Sequence, residues 1–180
     1  MKLPHLDIHR HRDRAIIIVS ISVLVLLLPF VINRDRAAVS GSASLYFNQQ
    51  PGTIPVGQTA TVELRLRTLT TAANAVSLVM HYDPKILDLT KLTTSQSFCS
   101  FYTENSFDTI KGEVHLSCGT PNPGFNGDSV LLVLSLRGKN VGTATINFDL
   151  KNTMVLANDG KGTNILSQPP HLTISVMQSL

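Results

Sequence analysis

The 180-residue chain has no tryptophan, two cysteines, 6% aromatic residues and 15% charged residues. Each scarcity excludes something. With no Trp, three Tyr and seven Phe, few side chains remain from which to build a stacking platform for sugar rings. Two Cys fall short of a four-ligand zinc site, and His115, three residues before Cys118, lies on the opposite strand parity, so no metal and no cofactor are expected. Charge of one sign is scarce outside the N-terminus: residues 1–36 carry six Lys/Arg against three Asp, which is the whole net charge of +3, and residues 37–180 carry nine of each sign. The basic excess therefore flanks an apolar run instead of coating a folded surface, which excludes nucleic acid as a partner. The length holds one domain and one membrane element, and the 43% hydrophobic content is enough to build a core.

What is present first is a long apolar run. Ala15 to Ile32, AIIIVSISVLVLLLPFVI, has no charge over eighteen residues. As a helix it extends about 27 Å at ~1.5 Å per residue, close to the ~30 Å of a bilayer's hydrocarbon core. Lys2, Arg10, Arg12 and Arg14 precede it and only Arg34 and Arg36 follow. The bias keeps the N-terminus in the cytoplasm and exports the rest. The expected organisation is a cytoplasmic basic tail at 1–14, a transmembrane helix at 15–32, a linker at 33–43 and an extracellular domain at 44–178 of a single-pass cell-membrane protein. The competing reading is a cleaved signal peptide, because Ala38-Val39-Ser40 and Gly41-Ser42-Ala43 offer small residues to a signal peptidase.

After the linker the pattern changes to period two. In Thr59 to Arg67, Ala60, Val62, Leu64 and Leu66 alternate with Thr61, Glu63, Arg65 and Arg67, as in a strand with one wet face. The same alternation runs through Asn74–Tyr82, Glu113–Cys118, Thr143–Asp149 and His171–Met177. Ser129–Arg137 is apolar on both faces for most of its length and is expected to be a central strand. Ser44–Asn48, Lys85–Thr90, Phe98–Tyr102 and Thr153–Ala157 complete about nine or ten short strands between Pro/Gly/Asn/Asp turns. No segment after residue 40 keeps a 3.6-residue period. The fold class expected is all-β, an antiparallel sandwich of jelly-roll or immunoglobulin-like type.

Three stretches in this order resemble a known family: Pro55-Val56-Gly57-Gln58-Thr59 leading into an alternating strand, Tyr82-Asp83-Pro84-Lys85-Ile86-Leu87 closing another, and Ala157-Asn158-Asp159-Gly160 ahead of Asn164-Ile165. Together they make Ser44–Val176 similar to a cohesin domain, related in fold to certain cellulose-binding modules. The residues also have a plain structural reading. Tyr82 is on inward parity, Asp83 can accept backbone N–H bonds in a turn, Pro84 presets φ, and Gly160 supplies positive φ. The resemblance implies a non-catalytic module that binds a dockerin through the exposed face of one sheet. Dockerin-binding members commonly carry Asn and Asp on the strand before the Tyr-Asp-Pro element. The matching outward positions here are Ala75 and Ser77, so any recognition at that spot uses different hydrogen bonding.

The expected partner face is the outward set Ala75, Ser77, Val79 and His81 with Glu113, His115 and Ser117; its small, weakly polar strip costs little to desolvate. The alternative is that another loop of the chain covers that strip. A polysaccharide-binding module is a second reading, for which Phe101, Tyr102, Phe107 and Phe125 are the available stacking side chains. A structural subunit of a surface assembly is a third. Catalysis is not expected, because no nucleophile elbow and no positioned pair of carboxylates stands out. Cys99 and Cys118 both lie in the exported part and are expected to form a disulfide there, two buried thiols being the alternative. Mass spectrometry of the mature protein checks the organisation: an uncleaved anchor leaves residues 1–36 in place, whereas a new N-terminus at Gly41 or Ser44 contradicts it.

Overall fold

Period-two alternation becomes eleven strands in the computed structural model, which describes residues 41–48 and 50–179. They are β1 (Ala43–Asn48), β2 (Thr53–Pro55), β3 (Thr59–Thr68), β4 (Ala73–His81), β5 (Leu87–Thr93), β6 (Phe101–Asp108), β7 (Glu113–Gly119), β8 (Asp128–Gly138), β9 (Gly142–Phe148), β10 (Met154–Ala157) and β11 (Leu172–Met177). Among the described residues no helix is long and apolar enough to cross a membrane. The expected tail at 1–14, helix at 15–32 and most of the linker lie outside the described residues.

The strands form two sheets. The smaller is ordered β1-β3-β8-β5, and the larger β2-β11-β9-β4-β7-β6, with β10 also pairing with β4. All pairings are antiparallel except β2 with β11, which is parallel. The apolar residue of each alternating pair turns inward: Val62, Leu64 and Leu66 of β3 meet Val76, Leu78 and Met80 of β4, with Leu116 of β7 and Ile146 of β9, in one buried cluster. Tyr82 is buried, as its parity requires.

β8 is central, between β3 and β5, but a bulge accounts for part of its doubly apolar sequence. Leu64 faces Leu132 and Arg65 faces Val130, so Leu131 is the extra residue, and Leu131 and Leu132 are both fully buried. Two elements differ from the sequence reading. β2 is new, three residues that bury only Ile54. β6 begins at Phe101 and runs to Asp108 instead of spanning 98–102. Residues 101–107 are exposed on both faces, so nothing selects for alternation there and the strand leaves no periodic trace.

The outer face of the smaller sheet is held by its own charges. The Tyr46 hydroxyl donates to Asp128 at 2.7 Å (Oδ2), Arg65 Nε to Oδ1 at 3.0 Å and Arg67 Nε to Oδ2 at 2.8 Å, which ties β1, β3 and β8 together. Arg137 pairs with Asp88 at 2.6 Å across β8 and β5. Partial burial alone would raise the Asp128 pKa, but the hydrogen bonds from Tyr46, Arg67 and Arg65 outweigh it and bring the carboxyl to about 2. The Cys99–Cys118 disulfide pins the segment before β6 to β7, with Cα atoms 5.8 Å apart.

Two outcomes follow. The full chain should show no alkylatable thiol until reduced, and reduction should cost about 3 kcal/mol of stability for a loop of 19 residues, read by urea unfolding with and without reductant. The Asp128 network should contribute about 1 kcal/mol once solvent screening is included. Because folding lowers this pKa, that contribution is fully present above the ordinary value of 3.8 and is lost as pH falls through about 2. The stability gap between wild type and Asp128→Asn should therefore close between pH 4 and pH 2.

Candidate functional site

β4 and β7 pair in full register in the middle of the larger sheet: Ala75 faces Gly119, Ser77 faces Ser117, Val79 faces His115 and His81 faces Glu113. The inward residues between them are core. The seven residues expected on the partner face are thus brought together as cross-strand neighbours on one surface, and Ala75, Ser77 and Val79 stay partly exposed, with the β9–β10 segment alongside Val79 through the Thr153 hydroxyl and the Asp149 N–H. The neighbouring strands widen it. β10 sets Leu156 beside Ala75 and Met154 beside Ser77. β6 sets Phe101 beside Gly119, Glu104 beside Ser117, Ser106 beside His115 and Asp108 beside Glu113.

The face changes character along the strands. At one end Leu156, Ala75, Gly119 and Phe101 make an apolar row. A Cβ on Gly119 would run into the Phe101 ring, so glycine is what lets the aromatic lie down on the sheet. In the middle the Ser77 and Ser117 hydroxyls are 3.1 Å apart. At the other end His115 lies between two carboxylates, with Nε2 3.4 Å from Glu113 and Nδ1 3.6 Å from Glu104, and His81 Nδ1 is 3.9 Å from the second oxygen of Glu113. His81 and His115 are therefore both beside carboxylates. Asp149 borders the same end; hydrogen bonds from the Asn152 side chain and the Lys151 backbone lower its pKa. Ser77, Val79, His81, Glu104, Glu113, His115, Asp149, Asn152 and Met154 enclose a shallow concavity of about 480 Å³. Among the described residues no three His, Cys, Asp or Glu side chains are grouped to hold a metal ion.

The turn below this acidic end is built to hold it. Asp108 Oδ1 accepts the backbone N–H groups of Ile110 at 2.8 Å and Lys111 at 3.0 Å, which lowers the Asp108 pKa. Gly112 then takes φ +71°, with its carbonyl accepting the Tyr82 N–H at 2.9 Å; a side chain there would collide with the Tyr82 carbonyl. Tyr82-Asp83-Pro84 and the β6–β7 turn thus lock one another, which fixes the ends of β4 and β7 in register.

The four aromatic candidates do not make one platform. Phe101 lies on the outward face, whereas Tyr102 and Phe107 share the inward face of β6, beyond the edge of the core. Phe125 is half-buried and stacks on Phe98, centroids 4.2 Å apart and planes 18° from parallel. The sequence reading did not include Glu104, Ser106 and Asp108 of β6, Leu156 and Met154 of β10, or Asp149 and Asn152. β6 lacks alternation and β10 has four residues, so pairing places them where local pattern does not.

No protein-family model matches the sequence, and no curated protein matches it. Solved structures match the fold. The cohesin CaCohA2 from Clostridium acetobutylicum has a TM-score of 0.62 at 14% identity, covering 78% of this chain and 94% of that one. The cohesin module of a family 33 glycoside hydrolase from Clostridium perfringens gives 0.61 at 14%, covering 77% and 99%. A non-cellulosomal cohesin from the archaeon Archaeoglobus fulgidus gives 0.57 at 12%, covering 76% and 92%. At these identities the likeness is one of fold, and the sandwich of this chain is a cohesin-like jelly roll.

Proposed function

We propose that this chain is a non-catalytic recognition module that docks a dockerin-like protein partner on the outward face of β10, β4, β7 and β6, tethered at the cell surface by residues 15–32. The observation that carries the reading is the half-exposed strip Ala75-Ser77-Val79 beside Ser117 and Gly119. It is a patch of small, partly exposed side chains in the centre of a sheet, backed by the core and bordering the shallow concavity. Such a surface costs little to dehydrate and lets a partner's backbone or helix approach closely. The acidic and His-bearing end supplies orientation, since carboxylates at a rim select the charge of the partner and steer its approach. A CaCohA2 structure in complex with the dockerin CaDoc0917 has a TM-score of 0.61 to this chain, which supports a protein as the kind of ligand.

Ala75 and Ser77 replace the Asn and Asp common at these positions in dockerin-binding cohesins, so the contact relies more on shape and less on hydrogen bonds from β4. The test is binding of the full chain to a panel of purified dockerin modules by surface plasmon resonance. Ser77→Arg and Val79→Arg should each abolish binding to any module that the wild type captures and leave the thermal midpoint nearly unchanged, because surface substitutions cost within about 0.5 kcal/mol. Binding that survives both substitutions places recognition elsewhere on the sandwich.

A further inference from the structure

The free edge of β6 and its inward aromatics are what the docking face leaves unexplained. β6 is an eight-residue strand at the end of the larger sheet, exposed from Phe101 through Phe107, with Phe101 52%, Tyr102 36% and Phe107 39% exposed. A strand edge of this kind presents a row of backbone groups ready to pair with another chain. The other sheet ends among the described residues are blunted: β2 has three residues and closes on Pro55, β5 is broken by a bulge at Thr90, and β1 is bridged at Ala43 to Leu166. In β6 the single bulge falls at Thr103 and leaves Glu104–Asp108 a regular run.

We propose that β6 pairs antiparallel with β6 of a second copy of this chain, about a two-fold axis at Asn105, joining the two larger sheets into one. The register follows from the sequence of the strand. Inward residues must face inward residues across an antiparallel pair, so an axis between two residues, which would set outward Glu104 against inward Asn105, is not allowed. An axis at Glu104 sets that carboxylate against itself, and an axis at Ser106 sets Glu104 against Asp108 twice; like charges directly opposite destabilise a sheet. With the axis at Asn105, the amide, which donates to Thr94 Oγ1 of its own chain at 3.3 Å, faces its own copy, Glu104 faces Ser106, and the bulged Tyr102-Thr103 step, whose Tyr102 hydroxyl donates to the Thr94 carbonyl at 3.2 Å, faces Phe107. Tyr102 and Phe107, both on the inward face, then meet as two symmetry-related aromatic pairs, and Phe101 meets Asp108. Three exposed aromatics that cannot serve one sugar surface are covered by one isologous contact. The outward faces of the two copies lie side by side in this dimer, so two docking faces point the same way.

The test is cysteine trapping on the full chain, whose only two cysteines are already joined to each other. Asn105→Cys, oxidised with copper phenanthroline, should run on a non-reducing gel near twice the 19.6 kDa chain mass. Lys161→Cys, in the exposed loop after β10, reports collisional cross-linking and should stay monomeric. Phe107→Lys added to Asn105→Cys should lower the trapped fraction about tenfold or more with the thermal midpoint unchanged. That second variant separates pairing through β6 from association through residues 15–32. Failure of Asn105→Cys to cross-link above the Lys161→Cys level overturns the proposal, as does a dimer that survives Phe107→Lys.

Discussion

The antiparallel pairing of β4 with β7 is the constraint on which the rest of the larger sheet depends. Because successive side chains point to opposite faces, the seven-residue register from Ala75–Gly119 to His81–Glu113 decides both surfaces at once. Val76, Leu78 and Met80 with Val114, Leu116 and Cys118 go into the core, and the residues between them go out. A slip of β4 by one residue would turn its side chains over and put Ser77 and His81 into the apolar interior at a cost of several kcal/mol. Backbone hydrogen bonds guard that register at both ends, from the Thr120 N–H to the Asn74 carbonyl and from the Tyr82 N–H to the Gly112 carbonyl, each at 2.9 Å.

The two outer faces of the sandwich differ in what they leave unmet. On the smaller sheet, Asp128 is satisfied by Tyr46, Arg65 and Arg67, Glu63 by Asn48 and Arg65, and Asp88 by Arg137, all within the sheet. A partner docking there would have to break or bury existing ion pairs, and buried pairs repay their dehydration poorly. On the larger sheet the centre is small and nearly neutral; at its end Glu104 and Glu113 face histidines, and Asp108 lies 4.0 Å from the Lys111 ammonium. The uncharged centre of the strip asks a partner to displace only the contact between the Ser77 and Ser117 hydroxyls. This contrast, and not the area of either sheet, is what the proposal of the β4–β7 face rests on.

The core was legible in the sequence and the edges were not. β3, β4, β7, β9 and β11 each bury one face, and burial on one face is what writes period-two alternation into a chain. Tyr82-Asp83-Pro84 was legible for a local reason: Asp83 Oδ1 accepts the Lys85 N–H at 2.8 Å, and its carbonyl accepts from Ile86 and Leu87. In β8 a bulge puts Leu131 and Leu132 on the same side, so a strand with one main buried face reads as buried on two. β6 buries neither face and carries Thr-Glu-Asn-Ser at its centre, which resembles a loop in any local window. Its contribution to the candidate face, Phe101, Glu104 and Ser106, exists only because β7 offers an edge to pair with, and that is a long-range fact.

The central claim is that the outward face of β4 and β7 is where a partner sits. Amide hydrogen exchange of the full chain, measured with and without a bound dockerin module, tests it most directly because it reads the footprint without altering a residue. The account predicts slowed exchange concentrated in 75–81 and 113–119, with 101–106 and 154–156 at the margin, and no change in β1, β3 or β5. Slowed exchange confined to the smaller sheet or to the loops around Phe125 and Asp159, with 75–81 and 113–119 unaffected, would contradict it.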